Sequence, residues 1–139
     1  MEWDFSDDKW KTRLDIYSPY ATYLGAKIVQ VKKGYALVEL PFNSNLKQLR
    51  GLMHGGCLAS LADIAMSTAM GSCFDEPVDF VTLEYKINYI SPITDGRAVG
   101  EARVTSLRKR IAFVEFQIFN EKNEISARGM GTFFIKTKG

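Results

Sequence analysis

Apolar side chains recur at every second position from Tyr23 to Val31 and again from Tyr35 to Leu40, on either side of Lys32-Lys33-Gly34. That period predicts a β-hairpin. After a polar loop from Pro41 to Gly51 the pattern changes to a run rich in Ala, Leu and Met, from about Gly55 to Gly71. The run is too long for a strand and has helical composition, so it predicts the main helix. Extended patterns return at Val78 to Ile90, which ends at Ser91-Pro92, and at Arg97 to Leu107, Ile111 to Asn120 and Ile125 to Thr137. Asp95-Gly96, Arg108 to Arg110 and Asn120 to Asn123 supply the turns between them. At the start of the chain, Ser6 followed by Asp7 and Asp8 reads as a helix entry, with Trp10, Leu14 and Tyr17 as its apolar side before Pro19. The predicted order is helix, hairpin, long helix and antiparallel meander. Separation of one major helix from consecutive strands predicts an α+β fold and argues against a parallel-sheet nucleotide fold. The small residues of the main helix predict close backbone approach, as when a sheet curls around it.

Composition adds bounds. A length of 139 residues predicts one domain spanning 1–139 with a core of its own. A hydrophobic share of 46%, a charged share of 24% and a net charge of +2 give no nucleic-acid footprint and no strongly acidic partner. The opening Met-Glu-Trp-Asp-Phe-Ser-Asp-Asp has acids where an export signal has lysines, so the expected location is the cytoplasm. Cys57 and Cys73 have neither CxxC nor Cys/His ligand spacing, and they read as reduced, packed thiols with no metal. The uncharged stretch from Gly51 to Phe74 has the length of a membrane span, but its glycines, serines, His54 and Asp63 rule that role out.

Within that stretch Asp63 is the only carboxylate and His54 the only histidine. An acid among Leu61, Ala62, Ile64 and Ala65 meets apolar walls, and burial raises its pKa unless donors hold it ionised. An acid pointing to solvent from a buried helix would leave the same pattern. The segment His54-Gly55-Gly56 opens the main helix, where first-turn N–H groups lack intrahelical acceptors and the dipole adds positive potential. Such a point can stabilise an oxygen that becomes negative during acyl transfer. Glycine is also common at helix starts for steric reasons, and a lone histidine there can serve as a helix-entry hydrogen-bonding group.

His54-Gly55-Gly56, Leu61-Ala62-Asp63, Tyr89-Ile90-Ser91-Pro92, and Ala127-Arg128-Gly129 followed by Gly131-Thr132 together resemble the hotdog-fold acyl-CoA thioesterases of the phenylacetate-pathway type. The likeness runs from about Gly25 to Ile135. It implies a helix wrapped by a curved antiparallel sheet, dimers, tetramers built from dimers, and hydrolysis of an acyl-CoA without metal or organic cofactor. Carried over by residue, it implies Asp63 as nucleophile or general base, Gly55 as the N–H donor to the thioester oxygen, and His54 as an orienting group. It further implies Gln48 as an amide near the thioester and Thr82 as the hydroxyl that positions water. An amide can donate to a carbonyl and a hydroxyl can orient water, although both are also ordinary loop and strand residues.

Helical spacing places Gly56, Ser67, Met66 and Met70 on the Asp63 side, as a substrate-binding face or as core. Arg108-Lys109-Arg110 is either a solvated turn or a grip on the phosphates of coenzyme A. His54 and Asp63 are nine residues apart, about 13.5 Å of rise and roughly 180° of rotation if helical. One thioester cannot touch both in one chain. A composite site is therefore expected at a dimer interface, with Gln48, His54 and Gly55 from one copy and Asp63 and Thr82 from the other. Competing readings are a non-catalytic acyl-CoA binding module and a hotdog dehydratase of 3-hydroxyacyl thioesters, which needs a working histidine base. Aromatic and medium-chain acyl groups both fit the resemblance, with Phe80, Tyr85, Met66, Trp3 and Trp10 setting the pocket width.

Overall fold

The alternating stretches become six antiparallel strands in a computed structural model that describes residues 8–76 and 78–138. β1 (Lys27–Lys32) and β2 (Tyr35–Pro41) form the expected hairpin, and Gly34 supplies the left-handed φ of 75° at its turn. β3 (Val78–Tyr89), β4 (Arg97–Arg108), β5 (Ile111–Phe119) and β6 (Ile125–Lys138) complete one sheet of order β1-β2-β4-β5-β6-β3. The expected meander holds for β4, β5 and β6 only. β3 pairs with β6, not β4, and forms the edge opposite β1. The long helix α2 (Gly55–Gly71) accounts for this: it lies between β2 and β3 in sequence and packs across the sheet, so the chain leaves it at the far edge.

α2 occupies the range its composition predicts. Leu61, Ala62, Ala65, Met66, Ala69 and Met70 are fully buried against inward-facing Val38, Ala98, Ala102, Val114, Ile118 and Phe133. Burying each larger side chain contributes about 1.5–3 kcal/mol. Met66 and Met70 are therefore core rather than pocket. The helix lies so close to the sheet that a Cβ at Gly100 on β4 would fall 3.0 Å from Leu61 Cγ. Small residues on the helix and the strand permit this approach.

The N-terminal segment differs from expectation. Residues 8–12 and 15–17 form two 3₁₀ turns, and the extra helix is α1 (Pro19–Leu24). Pro19 begins that helix instead of ending one, because its missing N–H and fixed φ suit the first helical position. Ser18 Oγ accepts from the Ala21 N–H at 3.2 Å, and Gly25 closes the helix with φ 87°. Tyr23 consequently lies in α1 and the first strand starts at Lys27. Ser6, Asp7 and Trp3 fall outside the described residues; Trp10 is fully buried. Cys57 and Cys73 are free thiols, and burial pushes Cys73 up to about 11. Among the described residues no helix is long and apolar enough to cross a membrane.

Candidate active site

The loop before α2 is tied down at several points. Asn43 Oδ1 accepts from the Asn45 N–H at 2.8 Å, the Gln48 N–H donates to Leu52 O at 2.7 Å, and the Met53 N–H donates to Ile93 O at 2.8 Å. Gln48 Oε1 accepts from the Arg50 N–H and, at 3.3 Å, from the Leu52 N–H. The Gln48 carbonyl therefore shapes its own loop, while its NH₂ group has no partner among the described residues and remains available to donate. The His54 N–H donates to Leu46 O at 2.7 Å, which sets the entry to α2.

His54 is the N-cap of α2: its Nδ1 accepts from the Gly56 N–H at 2.8 Å. That contact fixes the neutral tautomer with the proton on Nε2. It also fits the helix-entry role. Among the described residues the Gly55 N–H has no acceptor. Tyr89 closes over this turn, with its hydroxyl donating to Gly55 O at 2.8 Å and its ring 3.3 Å from where a Cβ on residue 55 would lie. Ser60 Oγ donates to Gly56 O at 2.9 Å, so Tyr20 donates to Ser60 across 2.7 Å. The roles of Tyr20 and Tyr89 were not foreseen, although Tyr89 stands in the Tyr-Ile-Ser-Pro motif that carried the resemblance.

Asp63 stands halfway along α2 and is half-buried. Burial pushes its carboxyl above the usual carboxylate range, and the Thr82 hydroxyl, donating to Oδ1 at 2.9 Å from β3, pulls it back. Asp63 and Thr82 thus meet within one chain, as expected. Tyr85 donates to Ala59 O at 2.9 Å, and its phenol is pushed up by burial and then by the Asp63 charge. The Ser67 hydroxyl makes no hydrogen bond among the described residues and lines a cavity of about 400 Å³ with Phe80, Thr82 and Asp15. Asp15 carried no sequence signal. Burial and then the Asp63 charge push it up to about 6.

Gln48, His54 and Gly55 are brought together at the start of α2, and Asp63, Thr82 and Ser67 around its middle. The two groups are not brought together in one chain, since eight residues of helix separate Gly55 from Asp63 by about 12 Å. Arg108, Lys109 and Arg110 stand apart from both, exposed at the β4–β5 turn. The Pro41–Arg97 pairing holds the other end of β4 near the start of α2, so the basic turn lies at the opposite end of the sheet. Lys109 has φ 56° there, and Arg110 Nη1 donates to Lys136 O at 3.0 Å. Among the described residues no cluster of three or more His, Cys, Asp or Glu side chains could hold a metal.

Known proteins resemble this chain in sequence and fold. The sequence profile described as "Thioesterase superfamily" matches residues 50–127. A conserved protein from Pseudomonas aeruginosa is 37% identical, with a TM-score of 0.81 over 88% of this chain and 97% of that one. A variant of the phenylacetic acid degradation protein from Thermus thermophilus is 28% identical, with a TM-score of 0.77 over 84% and 98%. A proofreading thioesterase of Klebsiella pneumoniae is 27% identical over 81% of this chain and 88% of its own length.

Proposed function

This chain belongs to the Thioesterase superfamily and is a thioester hydrolase, and on that premise we propose that it hydrolyses an aromatic or medium-chain acyl-CoA to the free acid and coenzyme A. The observation that carries this reading is the Thr82 hydrogen bond to Asp63 Oδ1. It orients a carboxylate whose burial makes it a stronger base and leaves the second oxygen without a hydrogen bond among the described residues. Asp63 takes the proton of the attacking water, and the Gly55 N–H receives the carbonyl oxygen as it becomes negative. Gln48 NH₂ and His54 Nε2–H flank that oxygen, Thr82 helps to hold the water, and Gly56 and Ser67 border the acyl group.

The separation of Gly55 from Asp63 supports a site shared between two copies. β3 is an edge strand whose exposed Val81, Leu83 and Tyr89 suit pairing with a second copy about a two-fold axis. Such pairing reverses the partner, bringing its Asp63 toward Gly55 and its Arg108-Lys109-Arg110 turn to the end where the coenzyme A phosphates emerge. Dimers assemble further into tetramers, and the enzyme works in the cytoplasm.

The test is thiol release from a panel of acyl-CoAs by the native protein and by Asp63→Asn. The native protein releases thiol, whereas the variant binds acyl-CoA with turnover lowered by about 10²–10⁴-fold. Near-native turnover in Asp63→Asn overturns the assignment. Saturable binding without thiol release by the native protein identifies a binding module instead.

A further inference from the structure

β3 runs back along α2 and reaches it through hydroxyl groups. Thr82 donates to Asp63 Oδ1 at 2.9 Å, Tyr85 to Ala59 O at 2.9 Å and Tyr89 to Gly55 O at 2.8 Å, so steps of three and four residues on the strand meet steps of four on the helix. A helical carbonyl gives one lone pair to the N–H four residues on and keeps a second. Tyr85 and Tyr89 take that second lone pair. The Thr82 contact serves the proposed base, whereas the Tyr89 contact falls on the residue whose own N–H has no acceptor among the described residues.

The peptide planes around that N–H are held one by one. The Gly55 carbonyl and the Gly56 N–H belong to one plane, and Tyr89 holds its oxygen while His54 Nδ1, 2.8 Å away, holds its N–H. The plane before it carries the Gly55 N–H, and its His54 oxygen accepts from the Cys57 and Leu58 N–H groups at 2.9 and 3.2 Å. One plane earlier, the His54 N–H donates to Leu46 O at 2.7 Å. Of these anchors Tyr89 alone comes from another strand, 34 residues along the chain. Two adjacent glycines leave the backbone unusually free, and a helix start with unpaired N–H groups is where a helix opens first. A Cβ at residue 55 would fall 3.3 Å from Tyr89 Cζ and 3.4 Å from its oxygen, so the ring packs where a side chain would otherwise stand. Tyr89 thus supplies from outside the rigidity that glycine lacks.

We propose that Tyr89 is a positioning residue for the reaction: by bonding the Gly55 carbonyl and packing its ring against the Gly55 Cα, it keeps the Gly55 N–H aimed at the point where the thioester oxygen becomes negative. This rests on the reading of Gly55 as the oxyanion donor. A donor fixed before the substrate arrives needs no reorganisation as the charge develops, which is the source of its effect on the barrier. Tyr89 acts through Gly55 and not on the substrate. Its hydroxyl therefore lowers the barrier without tightening the binding of the ground state.

Tyr89→Phe keeps the ring and removes the hydroxyl. His54 is the only histidine in the sequence, so histidine labelled with carbon-13 at its carbonyl and glycine labelled with nitrogen-15 mark the Gly55 amide and no other. The experiment follows that amide by NMR, free and with an acyl-CoA analogue whose sulfur is replaced by methylene, a ketone that is not hydrolysed. The kcat and KM for thiol release from acyl-CoA are recorded alongside. In the native protein the Gly55 amide proton moves downfield when the ketone binds. In Tyr89→Phe that shift shrinks and the free amide exchanges with solvent about tenfold faster. Losing an oxyanion donor outright costs about 10²–10³-fold in kcat, and a donor left in place but loosely held loses part of that, about tenfold, with KM within about twofold of native. An unreduced downfield shift in folded Tyr89→Phe overturns the proposal whatever happens to the rate, and so does a raised KM with kcat unchanged. A native Gly55 amide that does not respond to the ketone overturns the oxyanion reading instead, and the two failures are therefore distinguishable. Should Tyr89→Phe not fold, Gly55→Ala, whose methyl presses the ring off its bond, carries the same measurement with alanine labelled in place of glycine.

Discussion

The first turn of α2 and its midpoint are built from different materials. At the first turn the chemistry comes from the backbone: a free Gly55 N–H, a Gly56 N–H held by His54, and a dipole, all within three consecutive residues. At the midpoint it comes from one side chain, and what tunes Asp63 is burial by the surrounding fold and a hydrogen bond from Thr82 on β3, far away in the sequence. The end proposed to receive the oxyanion is thus supplied by local sequence, and the proposed base is set by tertiary packing. Substitutions far from Asp63 in sequence should alter its acidity while leaving the first turn intact.

The sharpest way to break this comparison is complementation. Mixed dimers of Asp63→Asn with a Gln48→Ala/His54→Ala double variant hold one intact first turn facing one intact Asp63. They should recover up to half the native thiol release from two nearly inactive parents, as measured on co-purified heterodimers. No recovery would place both ends in a single chain. Next in size, Thr82→Val removes the donor to Asp63 and should lower kcat about tenfold. Losing a bond to the charged form raises the carboxyl pKa, so the acidic limb moves to higher pH.

Asp15→Asn also sharpens the comparison through stability. A folded Asp15 keeps its proton up to about pH 6, whereas an unfolded one releases it near the ordinary aspartate range. The folded state therefore binds more protons in that window, and stability declines as pH rises through it. The variant lacks this penalty and should be more stable at pH 7 by about 1 kcal/mol, discounted for the partial exposure of Asp15, with the advantage gone at pH 4. Thermal melts at the two pH values check this. The smallest effect belongs to His54→Ala, which removes the N-cap and should lower stability by about 0.5–1 kcal/mol without moving the acidic limb.

Legibility in the sequence divides along the same line. α2 was readable over Gly55–Gly71 because its composition is unlike anything around it, and the motif at its start carried the first-turn residues. β4, β5 and β6 were readable because period-two patterns ended at turn residues. The place of β3 was not, since alternation says which residues face inward and not which strand lies alongside. Trp10 to Tyr17 looked helical by spacing, but tertiary contacts with α2 stabilise two tight turns there, and Pro19 proved to be an opening. Asp15 stayed invisible for the same reason: its burial comes from tertiary contacts that hold its turn against α2.

The unpaired margin of β3 has a consequence for how such a protein behaves when scarce. It is a strand of 12 residues with Leu83 55% exposed, and the same margin would join the two halves of each reaction centre. On that reading, specific activity should fall as the enzyme is diluted below the dissociation constant of the dimer, and the separated copies should become adhesive at the same moment. A substitution that weakens this seam would therefore be seen twice by selection, once as lost turnover and once as insoluble protein.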